Sequence, residues 1–144
     1  MAIKKTPLIV GLLALILNLL WEFSHYPLYL DLSGIPKYPH LITASVTDML
    51  FILGIFAIVS LKHRNVNWIK NSGKSDYLKV VFLGLAIALA IEIINLNLER
   101  WEYTVAMPTL FGIGISPLVQ LAVTGVVSLM LIKQIMKQFK LELS

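Results

Sequence analysis

The sequence contains no cysteine and few charged residues, and both shortages restrict what the protein can be. Without cysteine it has no disulfide, thiolate metal site, iron–sulfur cluster or cysteine nucleophile. Charged residues make up 14% of the 144 residues and hydrophobic residues 58%. Soluble domains have about 25% charged and roughly 45 to 50% apolar residues. The composition therefore predicts a membrane protein rather than an ordinary soluble domain.

Four apolar runs are long enough to be transmembrane helices, which need about 20 mainly apolar residues. The predicted spans, which leave only short connections, are residues 7–30, 41–61, 77–98 and 116–136. We therefore expect an all-α, polytopic four-helix bundle that forms a single membrane domain over residues 1–144. The first run resembles a signal peptide, but no small-residue cleavage site follows it, so we expect an uncleaved span. The apolar segment 99–116 should fold over the end of the bundle.

Basic residues are distributed unequally between the two sides of this four-span scheme. The excess of 12 Lys and Arg over 8 Asp and Glu is explained as a topology signal, so no nucleic-acid partner is expected. Two basic residues, Lys37 and Arg100, fall on one side. The other ten fall on the opposite side and are Lys4, Lys5, Lys62, Arg64, Lys70, Lys74, Lys79, Lys133, Lys137 and Lys140. The positive-inside rule then predicts a bacterial-type inner membrane protein with both termini in the cytoplasm.

Polar residues inside the spans fall at one depth, in the outer half of the bundle. Glu22, Asp48 and Glu92 lie six to eight residues from their span ends, which is roughly 9 to 12 Å along a helix. Ionisable residues in membrane spans usually face the bundle interior or a wet cavity, so these three are candidate acid–base residues. The candidate ligand-binding residues of the same layer and its border are Asn18, Trp21, His25, Tyr29, Asn95, Arg100, Trp101, Tyr103 and Gln120.

Simpler explanations exist for individual members of this polar layer. If Pro27 ends the first helix near Tyr26, Glu22 and His25 would lie within about one turn of the interface and could simply be hydrated. Amides such as Gln120 commonly join helices in membranes without a further role. Trp and Tyr side chains are also frequent at membrane interfaces.

Two kinds of chemistry suit the layer. Glu22 and His25 form an E-x-x-H pair, which di-metal carboxylate bundles contain twice. The pair occurs once here, with Asp48 and Glu92 as possible further ligands, so a single zinc, iron or manganese ion is one alternative. The other is acid–base catalysis, in which one buried carboxylic acid gives a proton and a neighbour accepts one. That chemistry would suit protonation of an alkene or isoprenoid.

Four segments carry a family resemblance: NLLWEFSHYPLYLD, TASVTDML, EIINLNLERWEYTVAMP and GIGISPLVQL. They resemble a family of small bacterial four-span proteins with no assigned activity. Its hallmarks are N-x-x-W-E-x-x-Q-x-P-L-Y, a later intramembrane Asp, E-W-x-N, W-x-Y-x-x-x-M-P and G-x-G-x-x-P-L-x-Q. The match covers most of the chain, with His25 where the family has Gln and Ile93 where it has Trp. The resemblance implies a four-span fold and no particular reaction.

More distant resemblances suggest the kind of ligand. The Trp21-Glu22 pair followed by Asp48 is similar to the opening of integral-membrane meroterpenoid cyclases, and the segment 101–103 is similar to the W-x-Y of lycopene cyclases. The layout of four spans with buried acids is similar to that of the sterol isomerase and sigma-2 receptor group. By analogy, all three imply a lipophilic small-molecule ligand.

These observations lead to three hypotheses about function. In the first, an acidic cavity in the outer half of the bundle binds, and could also modify, an isoprenoid or lipid-like molecule. In the second, the same carboxylates serve proton- or cation-coupled transport or metal binding. In the third, the chain is a structural membrane subunit whose polar side chains join helices. Membrane lipids are expected partners in each case, whereas cofactors and protein partners are not indicated.

Overall fold

Four long helices make up most of the chain, which confirms the predicted all-α four-helix bundle. The computed structural model describes residues 5–30 and 36–138. The helices are α1 (Lys5–His25), α2 (Lys37–His63), α3 (Lys74–Asn97) and α4 (Ile115–Gln138). Each is long and apolar enough to cross a membrane. The shorter elements are two 3₁₀ turns, Tyr26–Leu28 and Trp68–Asn71, and the strands β1 (Thr109–Leu110) and β2 (Ile113–Gly114).

The helix boundaries differ slightly from the predicted spans, and Pro27 accounts for the largest difference in the first helix. The α-helix α1 ends at His25, before the predicted end at residue 30, and a 3₁₀ turn containing Pro27 follows. Proline has no N–H to donate and clashes with the preceding turn of a helix, so it stops α1 there. Pro7 lies in the first turn of α1, where the missing N–H is harmless. Helix α4 begins at Ile115, two residues before Pro117.

Each helix packs against its neighbours in chain order, and α4 also packs against α1 to close the bundle. The α1/α2 and α3/α4 pairs share the largest contacts, whereas α2 and α3 share much less. We call the end with Lys5, His63, Lys74 and Gln138 the basic end, and the opposite end the cavity end. The less extensive packing of α2 against α3 leaves space for the cavity and the separate groove that are described below.

The bundle has an apolar core in its basic half and an apolar outer surface. Val10, Ile55 and Ile132 are among the side chains that are almost completely buried there. The lipid-facing surface of α1 carries Leu8, Leu12, Ile16 and Leu20 at i+4 spacing. Such an outward apolar stripe is what a helix in contact with lipid acyl chains requires.

Helices α3 and α4 approach each other closely at Gly84. A Cβ atom on Gly84 would lie 2.7 Å from the Ala122 backbone nitrogen and 2.9 Å from its Cα atom. Small residues allow such close backbone contact between membrane helices. This contact fixes the distance between α3 and α4 about two turns from Glu92.

Residues 98–114, the cap segment, fold across the cavity end, as expected for this apolar loop. The Thr104 N–H donates to the Leu28 carbonyl and the Leu30 N–H donates to the Glu102 carbonyl, each at 2.9 Å. Met107 is a buried residue of the segment. The strands β1 and β2 pair as a short antiparallel hairpin, whose turn contains Gly112 with a φ of 81°. The cap segment thereby brings aromatic side chains over the polar layer.

The basic end gathers most of the basic residues. Those at this end within the described residues are Lys5, Lys62, Arg64, Lys70, Lys74, Lys79, Lys133 and Lys137. Lys4 and Lys140 lie outside the residues that the structure describes. The α2–α3 loop is attached to the other helices here, because Thr6 donates to Asn67 at 2.6 Å and Lys133 donates to the Ser72 carbonyl at 2.9 Å.

Candidate functional site

A cavity of about 410 Å³ lies between α2 and α3 at the cavity end, with α1 and α4 behind it. All three predicted acid–base residues line it. Its full lining is Glu22, His25, Tyr26, Tyr29, His40, Thr43, Ala44, Thr47, Asp48, Phe51, Ala88, Ile91, Glu92, Asn95, Arg100, Trp101, Pro117, Gln120 and Leu121. Every helix and the cap segment contribute to this one space.

The Gln120 side chain connects three helices at the back of the cavity. Its Nε2 atom lies 2.7 Å from Glu22 Oε1, 2.7 Å from Asp48 Oδ2 and 3.1 Å from Asn18 Oδ1. An amide nitrogen carries two hydrogens, so it satisfies two of these three acceptors at a time. Because both carboxylate oxygens contact the same nitrogen, the carboxyl groups of Glu22 and Asp48 lie next to each other.

Glu22 is additionally paired with His25, one turn further along α1. Glu22 Oε2 and His25 Nε2 are 3.3 Å apart, and His25 Nδ1 is 3.0 Å from Ser116 Oγ in the first turn of α4. The side chains of Glu22 and His25 keep only 12% and 6% of their exposure. Both are therefore buried even though α1 ends at His25, so the end of the helix does not leave them in water.

Glu92 has a different set of partners, all from the cap segment. Its Oε2 atom accepts hydrogen bonds from Tyr103 Oη and, at 3.4 Å, from Trp101 Nε1. Tyr29 packs edge-on against Trp101, with ring centroids 6.2 Å apart, and its backbone pairs with that of Tyr103. Trp101 and Tyr103 thus both donate hydrogen bonds to the buried Glu92 carboxylate.

Two phenols of this aromatic group have shifted ionisation. Burial raises the pKa of Tyr29 above its ordinary value near 10, and the nearby Glu92 charge adds to that effect. Burial also raises the pKa of Tyr103, and its hydrogen bond to Glu92 adds to it. Both phenols therefore keep their protons at neutral pH, and Tyr103 remains a donor to Glu92.

Six of the nine predicted ligand-binding residues line the cavity. They are His25, Tyr29, Asn95, Arg100, Trp101 and Gln120. Tyr103 reaches the site through Glu92 instead of lining it. Asn18 lies deeper, where it donates to the Ala14 carbonyl at 2.9 Å and accepts from Thr124 at 3.3 Å, as expected for a residue that joins helices. Trp21 does not line the cavity, and its buried Nε1 has no hydrogen-bond partner within the described chain.

Five α2 residues that form one wall of the cavity were not among the predicted site residues. These are His40, Thr43, Ala44, Thr47 and Phe51. Their positions relative to Asp48 carried a signal, because His40, Ala44 and Asp48 follow i, i+4 and i+8 and therefore share a face of α2. Ser116 shares a polar stripe of α4 with Gln120; it was not among the predicted ligand-binding residues, and it contacts His25.

Metal binding was the other chemistry considered for Glu22 and His25. Within residues 5–30 and 36–138, no group of three His, Asp or Glu side chains is arranged to hold a metal ion. Glu22 and His25 contact each other, while Glu92 contacts the cap segment. The carboxylates are thus divided between two hydrogen-bonded groups that face the same cavity.

The fold and this site define a class: a multi-pass, four-helix membrane protein with an acidic cavity near one end. No protein-family model, curated protein or solved structure matches the chain. The resemblance to a small bacterial four-span family therefore stays a prediction from the motifs.

Proposed function

We propose that the chain is a bacterial-type inner-membrane protein whose cavity binds, and could modify, an isoprenoid or other lipid-like molecule. One observation carries the proposal: a single cavity of about 410 Å³ combines three carboxylates with apolar and aromatic walls. Small-molecule sites are typically about 300 to 1,000 Å³, mainly apolar and equipped with a few polar groups. The excess of basic residues at the basic end supports cytoplasmic termini.

Access from the lipid phase is consistent with the position of the cavity. Thr43 and Thr47 line the cavity and are also exposed on the outer surface of α2. Their hydroxyls donate within the helix, to the Pro39 carbonyl at 2.8 Å and the Thr43 carbonyl at 2.9 Å. The opening between α2 and α3 therefore presents few unsatisfied polar groups to acyl chains. A lipophilic molecule could enter there without crossing water.

The paired carboxyls of Glu22 and Asp48 supply the acid–base chemistry in this proposal. Two carboxyl groups that contact one amide nitrogen repel each other when both are charged, so one of them readily holds a proton. Glu22 is paired with His25, whereas the hydrogen-bond donor to Asp48 among the described residues is Gln120. We therefore assign proton donation to Asp48. Protonation of a ligand alkene by Asp48, followed by loss of a different proton to a neighbouring carboxylate, would isomerise the double bond.

Proton or cation transport is the second candidate, and the presence of three carboxylates in the cavity favours it. Three carboxylates face Arg100 and two histidines there. Transport also requires a path to the other side of the membrane. Buried apolar side chains such as Ile52, Val80 and Leu129 fill the basic half of the described bundle, which favours binding over transport. A purely structural subunit would not need the unfilled cavity.

Photolabelling with a diazirine-bearing farnesyl probe tests the binding site. The protein is reconstituted in phosphatidylethanolamine and phosphatidylglycerol nanodiscs, and labelled peptides are identified by mass spectrometry. We expect labels on the cavity-facing peptides of α2 and α3. Thr47→Trp should remove most of this labelling because it fills the opening. Val46→Trp is the matched control, since Val46 is exposed on α2 but does not line the cavity.

Equal labelling of the Thr47→Trp and Val46→Trp proteins would contradict the proposed site. If a diazirine palmitate probe labels the same peptides equally well, the cavity binds lipids in general and is not specific for isoprenoids. Catalysis is tested by incubating the reconstituted protein with an isoprenoid that carries no diazirine and then recovering that isoprenoid. A product of unchanged mass and altered retention time should form with the unchanged protein and with Glu102→Gln, but not with Asp48→Asn. Glu102 is exposed and lies outside the cavity.

A further inference from the structure

A second groove lies at the basic end, on the outer surface between α2 and α3. It has a volume of about 380 Å³. Its apolar part includes Ile58, Leu78 and Phe82, and two lysines, Lys62 and Lys79, stand beside it. Phe82 is 71% exposed and Leu78 is 67% exposed, so a large apolar surface is uncovered next to two positive charges.

Lys62 and Lys79 both line this groove, so two positive charges lie beside the same apolar surface. Like charges on one groove repel each other, and the repulsion is relieved when an anion binds between them. Asp76 is the nearest carboxylate, at 3.1 Å from Lys79 Nζ, but it also contacts His63 and accepts from the Gly73 N–H. No carboxylate of the described chain forms an ion pair with Lys62.

Both lysine side chains lie near the basic end of the bundle. Lys62 is the residue before the end of α2 at His63. Lys79 lies deeper, but its Nζ turns back toward the start of α3 and donates to Ser75 Oγ at 3.0 Å. Long basic side chains commonly place their charge at the interface while their methylene groups cover apolar surface. The exposed apolar part of the groove then extends from the charges toward the membrane interior.

We propose that this groove binds an anionic phospholipid, with its phosphate between Lys62 and Lys79 and an acyl chain along Leu78 and Phe82. Basic pockets between helices on the cytoplasmic side of membrane proteins bind such headgroups. The paired ammonium groups complement the phosphate charge, and the uncovered apolar surface complements the chain. This site lies at the opposite end of the bundle from the acidic cavity and does not depend on the function proposed for that cavity.

Native mass spectrometry of the detergent-solubilised protein, titrated with phosphatidylglycerol or phosphatidylcholine, tests the proposal. We expect tighter binding of phosphatidylglycerol. At about 1 kcal/mol per lysine near a membrane surface, Lys62→Gln should weaken phosphatidylglycerol binding about fivefold and the Lys62→Gln/Lys79→Gln protein about 30-fold. The Lys70→Gln/Lys74→Gln protein is the matched control, because both lysines are exposed at the same end and neither lines the groove.

An equal loss in the control protein would overturn the proposal, because it would show attraction to the whole basic end. Displacement of phosphatidylglycerol by an equal concentration of glycerol phosphate would also overturn it, since the site would then recognise free phosphate. Phe82→Ala should weaken phosphatidylglycerol binding and leave the weak binding of glycerol phosphate unchanged. If the double variant fails to fold, Lys62→Gln alone decides, because the Lys62 side chain makes no ion pair in the described chain.

Discussion

Replacing Gln120 by leucine should destabilise the bundle at its polar layer. Leucine has a similar size but cannot donate hydrogen bonds. The Glu22 and Asp48 carboxyl groups would then lose their donor from α4 while remaining buried or half-buried. A buried acceptor that loses its donor retains the cost of its own desolvation.

The expected loss of stability in Gln120→Leu follows from the number of hydrogens on the Gln120 side-chain amide. Gln120 has two on Nε2, so at most two of its three contacts are made at once. Side-chain hydrogen bonds between membrane helices contribute about 0.6 kcal/mol on average and up to about 1.7 kcal/mol. We therefore expect Gln120→Leu to lower the free energy of unfolding by about 1 to 3 kcal/mol.

The free energy of unfolding is measured by titrating the purified protein in mixed micelles with sodium dodecyl sulfate and following circular dichroism. Gln134→Leu is the control, since Gln134 is exposed on the same helix and should change stability by less than about 0.5 kcal/mol. Combining Gln120→Leu with Asp48→Leu should cost less than the sum of the two single changes, because one change removes the partner of the other. Equal stability of the Gln120→Leu and Gln134→Leu proteins would refute the assigned hydrogen bonds.

Three further predictions concern packing, topology and pH. Gly84→Ala should destabilise the protein by about 1 to 3 kcal/mol in the same titration, because its Cβ would meet the α4 backbone. Gly54→Ala is the control and should be neutral or stabilising, because Gly54 has open space around it. Equal effects of the two substitutions would contradict the close contact between α3 and α4 at Gly84. In intact cells, a membrane-impermeant thiol reagent should label Glu102→Cys and not Lys70→Cys, and the reverse pattern would invert the topology. Because the pKa of Tyr103 is raised on folding, the folded state should lose stability as pH rises above 10. Tyr103→Phe should reduce the loss of stability with rising pH, measured by unfolding titrations between pH 8 and 11. An unchanged pH dependence would contradict the raised pKa of Tyr103.

The four-helix architecture could be predicted because the membrane leaves few choices. In lipid, backbone groups must be satisfied within the structure, so a long apolar segment forms a helix. The sequence allows Pro27 to end the first helix, yet the predicted span continues to residue 30. The structure shows that proline chemistry decides this boundary. The β-hairpin of the cap segment was not predicted, since its strands are only two residues long and depend on a turn.

For the site, the sequence by itself determined the depth of Glu22, Asp48 and Glu92, because helix rise converts chain position directly into height. It did not determine the lateral arrangement, which depends on how each helix is rotated and which helices touch. Only the tertiary structure placed Gln120 between Glu22 and Asp48 and assigned Glu92 to the cap segment. It also made the opening between α2 and α3, because these two helices pack less extensively than the other neighbouring pairs. Helix rotation and pairing follow from the packing of many side chains at once, which the polar pattern of one helix does not specify.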